Sequence, residues 1–153
     1  MLLYLVQHGW AFSKEEDPER GLTDQGKSES RKTGEFLRDH ADDIHVIWHS
    51  GRKRSRETAE IIAGVLGIPE RILEHTYLGP NDPVSPVHSE LKKAARDKII
   101  VGHLPYLCKL ASSLLTGYED QLSVSFINSG ICCLEKNEGK WTMKWAVTPQ
   151  MFK

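Results

Sequence analysis

Apolar residues in this chain form short runs, separated by longer segments in which apolar and polar residues alternate with helical spacing. The runs Leu2–Val6, Ile44–Trp48 and Lys98–Val101 are rich in branched and aromatic side chains, which is typical of buried strands. Ile72–His75 predicts a further short strand. The predicted helices run from Asp24 to about His40, from Ser50-Gly51 to about Leu66, from the end of a three-proline loop at 79–86 to about Arg96, and from Leu104 to Gly117.

Capping residues mark the ends of two of these helices. Thr23 is a favourable N-cap, and Asp24 in the first turn complements the helix dipole. Gly67 suits the left-handed position that follows a helix, and Pro69 prevents the helix from continuing. These signals indicate that the periodic segments are true helices with defined ends.

The last part of the chain predicts a hairpin. Strands Gly130–Glu135 and Lys140–Val147 are joined by residues 136–139, which have turn composition. Three βα units followed by a hairpin are typical of layered α/β domains. We therefore expect a three-layer α/β/α sandwich with a mostly parallel central sheet. A length of 153 residues suits a single domain over 1–153.

Charge and cysteine content narrow the class of protein. Twenty Lys and Arg against 21 Asp and Glu give a net charge of −1, whereas a general nucleic-acid binder needs a basic surface. No run approaches the roughly 18 apolar residues of a membrane span, and Met1–Val6 lacks the basic segment of a signal peptide. Three cysteines, two of them the neighbours Cys132 and Cys133, form a poor disulfide set. We expect a cytoplasmic protein with no nucleic-acid or membrane partner.

Residues that can carry chemistry follow the three best predicted strands. His8 follows the first strand, the basic loop 50–54 follows the second, and His103 follows the third. Open parallel sheets bind ligands beyond the carboxyl ends of their strands, so we expect these residues to meet at one edge. Imidazole can attack phosphorus, while guanidinium groups and helix N-terminal amides can hold phosphate oxygens. The pattern therefore favours phosphoryl transfer.

The same segments resemble the motifs of a known family. Residues 6–9 read Val-Gln-His-Gly, residues 50–59 read Ser-Gly-Arg-Lys-Arg-Ser-Arg-Glu-Thr-Ala, and residues 101–105 read Val-Gly-His-Leu-Pro. In this order they resemble the Arg-His-Gly, Ser-x-x-x-Arg-Ala-x-x-Thr-Ala and Gly-His-x-Pro segments of the histidine phosphatase (phosphoglycerate mutase-like) superfamily. The resemblance covers nearly the whole chain and implies a phosphoglycerate mutase-like fold and a phosphatase activity.

A fourth segment is similar to one branch of that superfamily. Residues 8–11 (His-Gly-Trp-Ala) and 20–26 (Arg-Gly-Leu-Thr-Asp-Gln-Gly) resemble the His-Gly-x-Ala start and the Arg-x-Leu-Thr-x-x-Gly segment of the small SixA-type phosphohistidine phosphatases. By this resemblance, Arg20 is a candidate for an extra contact with the phosphate or the leaving group. The alternative is an ion pair within the acidic loop 15–19.

The resemblance also implies roles for individual residues. His8 would be the nucleophile, forming a phosphohistidine intermediate that water then hydrolyses. Arg54 would hold phosphate oxygens, and His103 would be the second catalytic histidine. Gly9 and Gln7 complete the expected substrate-binding set. His8 must be neutral to attack, and nearby cations would lower its pKa and keep it so.

Four further residues near these motifs have a simpler interpretation. We expect Ser50 and Thr58 to serve local structure, Ser50 as a helix cap, and Arg52 and Arg56 to be surface charges.

Gln7 departs from the superfamily pattern, which has an arginine at this position. A guanidinium grips phosphate with charged, bidentate hydrogen bonds that a neutral amide cannot copy. Losing one such contact in the transition state costs about 1.5–3 kcal/mol, or roughly ten- to a hundredfold in rate. The amide still offers an NH₂ donor, so we expect a weakened phosphate site and not an abolished one.

A general acid for the leaving group is less evident. Larger members of the superfamily carry a carboxylate on an inserted segment, for which this chain has no room. Asp82, in the 79–83 loop, is the best candidate, with Asp17 and Glu16 as alternatives. The imidazole of a phosphohistidine leaves more easily than an alkoxide, so a missing acid fits a phosphoramidate substrate better than a sugar phosphate.

Three functions remain open on these grounds. The chain is interpreted first as a phosphatase acting on a phosphohistidine-containing protein, and second as a phosphatase of small phosphomonoesters. The third is a low-activity pseudo-phosphatase that binds phosphate, which Gln7 supports. No His, Cys, Asp and Glu spacing predicts a metal site, so we expect no metal and no other cofactor. The absence of a long apolar stripe favours a monomer.

Overall fold

A six-stranded mixed sheet forms the middle layer of the molecule, for which the computed structural model describes residues 1–152. The strands lie in the order β3-β2-β4-β1-β5-β6. Their bounds are β1 Leu2–Gln7, β2 Val46–His49, β3 Ile72–Glu74, β4 Lys98–Gly102, β5 Ile131–Asn137 and β6 Lys140–Val147. Strands β1 to β4 pair in parallel, whereas β5 is antiparallel to β1 and β6 is antiparallel to β5.

Four helices cover the two faces of this sheet: α1 Asp24–His40, α2 Lys53–Leu66, α3 Ser85–Lys93 and α4 Tyr106–Thr116. Successive residues of a strand point to opposite faces. Tyr4 and Val6 accordingly pack with residues of α1 and α2, whereas Leu3 and Leu5 pack with residues of α3 and α4. The expected α/β/α sandwich is therefore confirmed.

The bounds of helices α2 and α3 differ from the prediction. Helix α2 begins at Lys53 and not at Ser50-Gly51, because Gly51 has φ +87, which no right-handed helix accommodates. Helix α3 begins at Ser85, inside the segment predicted as loop, because a proline in the first turn of a helix has no N–H to leave unpaired. It also ends at Lys93, short of the predicted Arg96.

The start of α1 is fixed against the segment that follows β1. The Thr23 hydroxyl accepts a hydrogen bond from the Gly26 N–H at 3.0 Å, which confirms the predicted N-cap. The Thr23 N–H donates to the Trp10 carbonyl at 3.0 Å. A Cβ atom on Gly26 would overlap that same carbonyl, so only glycine allows this approach. These contacts hold the loop after β1 at a fixed position.

The described residues contain neither a disulfide bond nor a helix that could span a membrane. All three cysteines are free, and Cys132 and Cys133 are buried on opposite faces of the sheet. Within residues 1–152, no helix has the length and apolar character needed to cross a bilayer.

Candidate active site

Two histidines meet at the carboxyl edge of the sheet, where the neighbouring strands β1 and β4 end. Gln7 is in register with Gly102, so the next residues of the two strands, His8 and His103, emerge side by side. Their ring centroids are 5.1 Å apart. His8 is 9% exposed and His103 is 1% exposed. The structure thus brings together the two histidines that the sequence separates by 95 positions.

His8 is held in one tautomer. Its Nδ1 lies 2.8 Å from the Gly9 carbonyl oxygen, and because a carbonyl only accepts hydrogen bonds, Nδ1 must carry the proton. Burial lowers the pKa of His8 to about 4, with smaller contributions in the same direction from Arg54 and Arg20, while the Gly9 contact opposes the shift. At neutral pH the ring is uncharged, and Nε2 keeps its lone pair.

The backbone around His8 is fixed from several sides. The Gly9 N–H donates to the Thr58 hydroxyl at 2.9 Å, and the Asn128 side-chain amide donates to the His8 carbonyl at 3.0 Å. A Cβ atom on Gly9 would lie 2.7 Å from the Ser30 hydroxyl, so a larger residue would displace this segment. Glycine at position 9 is therefore favoured by close packing next to His8.

Only one of the two ring nitrogens of His103 has a hydrogen-bond partner among residues 1–152. Its Nε2 lies 2.6 Å from the Ser50 hydroxyl oxygen, while its buried Nδ1 has no hydrogen-bond partner within residues 1–152. Burial lowers the pKa of His103 to about 3, assisted by the nearby His8 and Arg54. The expectation that Ser50 caps α2 is wrong, since the N-cap is Arg52 and makes no side-chain capping bond. Ser50 instead holds a site histidine.

Three arginines place positive charge around the two histidines. Arg54 lies in the first turn of α2, and its buried Nε has no hydrogen-bond partner among the described residues. Burial lowers the pKa of Arg54, and the charges of Arg20 and Arg52 lower it further. Arg52, which we expected to be only a surface charge, is exposed but also lowers the pKa of His103. A helix N-terminus with several guanidinium groups and unpaired donors is suited to an anion.

The side chain of Arg20 is held in place by a contact within its own loop. Its Nε donates to the Phe12 carbonyl at 2.9 Å, and the residue has φ +54. No carboxylate lies within 4.0 Å of Arg20 in the described part of the chain, and the acidic loop pairs instead through Glu19 with Lys53 at 3.2 Å. The charge of Arg20 acts on both histidines, which agrees with a position facing the site.

Gln7 is the last residue of β1 and directly precedes His8. Its backbone carbonyl accepts from the Ser129 N–H at 2.9 Å. Its side-chain Oε1 is buried without a hydrogen-bond partner in residues 1–152, which is costly for an acceptor. The position that carries an arginine in the superfamily motif is thus filled here by a neutral and incompletely paired amide.

The candidate general acids are all engaged in local turns. Asp82 is exposed, and its Oδ2 accepts from the Gly79 N–H at 2.8 Å. It lines an open cavity of about 410 Å³ together with Ser50 and Arg52, so it lies beside the site. Hydrogen bonds from the Gly21 and Glu19 N–H groups lower the pKa of Asp17. Hydrogen bonds from Ser13 lower the pKa of Glu16, so neither of these two groups favours a protonated state.

Sequence reasoning missed the loop before β5 as part of this site. Asn128 binds the His8 carbonyl, and Ser129, with φ +62, binds the Gln7 carbonyl and faces the Ser30 hydroxyl at 3.3 Å. The usable signal was topological: a strand antiparallel to β1 must begin where β1 ends. The sequence predicted the hairpin but not its pairing with β1, and only that pairing places the residues before 130 next to His8.

Comparison with known proteins agrees with the resemblance found in the sequence motifs. The model of the histidine phosphatase superfamily (branch 1) matches residues 3–76, which include His8 and Arg54. The phosphohistidine phosphatase SixA of Escherichia coli (strain K12) is 25% identical over 155 residues, covering 97% of this chain and 94% of SixA. The structure of the protein histidine phosphatase SixA complexed with tungstate superposes with a TM-score of 0.88 at 25% identity, covering 98% of both chains.

A more distant structure shows how widely the fold is shared. A putative α-ribazole-5′-P phosphatase from Escherichia coli has a TM-score of 0.73 at 15% identity, covering 97% of this chain and 98% of its own. The fold and the full-length similarity to SixA support a phosphatase of the histidine type. The chain is similar to members of the histidine phosphatase superfamily, which agrees with the resemblance of its sequence motifs.

Proposed function

We propose that this protein is a cofactor-independent phosphohistidine phosphatase in which His8 is the nucleophile. The observation that carries the proposal is the arrangement of the His8 ring. Nδ1 is bound to the Gly9 carbonyl at 2.8 Å, and Nε2 is left free in a neutral imidazole beside a cluster of cations. A phosphate group would be attracted to that cluster, with its phosphorus facing the free nitrogen.

The reaction would proceed in two transfers. Nε2 of His8 attacks phosphorus, a new P–N bond forms, and the bond between phosphorus and the leaving nitrogen of the substrate breaks. The phosphorylated His8 ring is cationic and is stabilised by its Nδ1–H bond to Gly9. Water then attacks phosphorus, the bond to Nε2 breaks, and inorganic phosphate leaves. Arg54, with its unpaired buried Nε, opposes the charge that develops on the phosphoryl oxygens in both steps.

Two considerations support a phosphohistidine as the substrate. The Asp82 carboxylate accepts a hydrogen bond from Gly79, and no other candidate acid is free to donate a proton to an alkoxide. An imidazole leaving group depends less on such a proton. The similar protein SixA is named a phosphohistidine phosphatase, which agrees with this choice of substrate.

The test is phosphate release from a folded protein that carries phosphohistidine and from p-nitrophenyl phosphate. We expect wild type to act on both, faster on the phosphohistidine, and His8→Ala to lose both activities. His45→Ala is the matched control, because His45 is exposed and precedes the amino end of β2, at the opposite edge of the sheet. Full activity in His8→Ala would refute the proposed nucleophile. A preference for the small ester would favour a phosphomonoester phosphatase.

Gln7 favours a second candidate function, the binding of phosphate or of a phosphorylated partner with little turnover. If the proposed phosphatase is correct, Gln7→Arg should raise an existing rate by about ten- to a hundredfold, since it adds a charge-assisted contact to the transition state. If wild type binds inorganic phosphate but releases none from either substrate, and only Gln7→Arg is active, the binding function is the correct one. Lys53→Arg is a control for adding a guanidinium nearby, because Lys53 pairs with Glu19.

A further inference from the structure

Exposed apolar side chains gather around the entrance to the candidate active site. Ten large apolar side chains are exposed in residues 1–152. Five of them belong to loops at this one edge of the sheet, and we call them the mouth ring: Trp10, Phe12, Tyr77, Leu104 and Ile127. Isolated exposed apolar residues need no explanation, but a group confined to one place does.

Each residue of the mouth ring is close in sequence to a residue of the site or makes a contact with one. Trp10 comes two residues after His8, and Leu104 is the residue after His103. The Phe12 carbonyl accepts the hydrogen bond from Arg20.

The other two complete the ring from different loops. Ile127 precedes Asn128, whose side chain binds the His8 carbonyl at 3.0 Å. Tyr77 lines the open cavity that also contains Ser50 and Arg52. Four separate loops therefore bring apolar surface to the rim of a cationic centre.

The charges around the mouth ring restrict which kind of binding partner fits this surface. At the centre, Arg20, Arg52 and Arg54 attract a phosphoryl group. On the side of Phe12, the segment 14–19 contains four acidic side chains and one basic side chain, Lys14, so this margin is negatively charged overall. A membrane with anionic lipids would be repelled by this acidic margin, whereas a protein with basic residues beside its phosphorylated side chain would fit it.

We propose that the mouth ring is the docking surface for a folded protein that presents a phosphohistidine on an apolar part of its own surface. This inference rests on the proposed function, because the phosphoryl group of that protein would enter the cationic centre. The partner's surface around its histidine would then contact Trp10 and Leu104. Aromatic residues that surround a buried polar anchor are typical of the side chains that dominate protein interfaces.

The test compares two substrates for each variant: a folded phosphotransfer domain carrying phosphohistidine, and the free amino acid phosphohistidine. Trp10→Ala and Leu104→Ala should each lower kcat/KM on the protein substrate by about tenfold, mainly through KM, as loss of an interface anchor does. On free phosphohistidine they should change kcat/KM by less than about twofold, because only the site itself is used. Urea unfolding verifies that the variants fold.

Tyr118→Ala and Leu122→Ala are the matched controls. Both residues are exposed and apolar, and Tyr118 follows the C-cap of α4, about 16 Å of helix away from the site. The control variants should match wild type on both substrates. Equal losses on both substrates, or no loss on the protein, would overturn the docking surface. Binding to vesicles of anionic lipid that is lost in Trp10→Ala would also overturn it. So would dimerisation of the wild type that Trp10→Ala abolishes.

The proposed function is tested separately in the same assay. If wild type releases no phosphate from either the phosphotransfer domain or free phosphohistidine, the proposed function fails. If wild type is active on free phosphohistidine but the ring variants show no selective loss, only the docking surface fails.

Discussion

In the proposed reaction, the contact between Ser50 and His103 would leave Nδ1 as the ring nitrogen that binds a phosphoryl oxygen. The Ser50 hydroxyl lies 2.6 Å from Nε2, and the buried Nδ1 has no partner in the described chain. If the hydroxyl donates to Nε2, the proton of the neutral ring must be on Nδ1. In the proposed reaction, Nδ1–H would then donate to a phosphoryl oxygen, and Ser50 would act as a positioning residue for His103.

Removal of this hydroxyl should therefore slow the reaction. Ser50→Ala frees the ring to rotate and to change tautomer, and we expect kcat to fall by about tenfold, the effect of one lost hydrogen bond of about 1.4 kcal/mol. Ser50→Thr keeps the hydroxyl and should recover most of the rate. The measurement is kcat and KM for phosphohistidine hydrolysis as a function of pH. A change in KM alone, or a failure of the threonine variant to recover activity, would contradict the positioning role.

At the scale of elements, the sequence pattern predicted the layers and the edge that carries the site, because alternation and capping are local properties. The first strand, helix α1 and its Thr23 cap, and both hairpin strands were found close to their observed bounds. The start of α2 was misplaced, since the left-handed Gly51 keeps Ser50 free to reach His103. Contacts such as that of Asn128 with His8 depend on tertiary packing, which no local pattern contains.

The segment after β1 approaches helix α1 so closely that a side chain at Gly9 should destabilise the protein. Gly9→Ala would place a Cβ atom 2.7 Å from the Ser30 hydroxyl on α1 and 3.0 Å from the Gly26 carbonyl. We expect it to lower the free energy of unfolding by about 1–3 kcal/mol and to displace His8.

Gly64→Ala is the matched control. Gly64 is exposed within α2, with nothing within 4 Å of an added Cβ. Its replacement should raise the free energy of unfolding by about 0.5–1 kcal/mol through helix propensity. Urea unfolding measures both variants. Equal effects at the two positions would show that the close approach at Gly9 is not a constraint.

At the scale of the whole molecule, the buried histidines make stability depend on pH. His8 and His103 have pKa values lowered from the usual 6.5 to about 4 and about 3, mainly because burial disfavours their charged form. Burial also lowers the pKa of His49 and His88. Below pH 6.5 the unfolded chain takes up protons at these residues, while the folded protein does not until the lower values are reached. The unfolded state binds more protons in this window, so stability falls as the pH is lowered.

The free energy of unfolding should therefore decrease between about pH 7 and about pH 5, by about 2 kcal/mol for each of His8 and His103. The stability that these two neutral rings provide is fully present above pH 6.5 and is lost as the pH approaches 4 and then 3. His8→Asn removes one of the two contributions, so its dependence on pH should be shallower than that of wild type. His45→Asn, which replaces an exposed histidine, should keep the wild-type slope. Urea unfolding at both pH values measures the three slopes. Parallel curves for wild type and His8→Asn would mean that His8 takes up its proton equally in the folded and unfolded protein, and the neutral nucleophile would have to be abandoned.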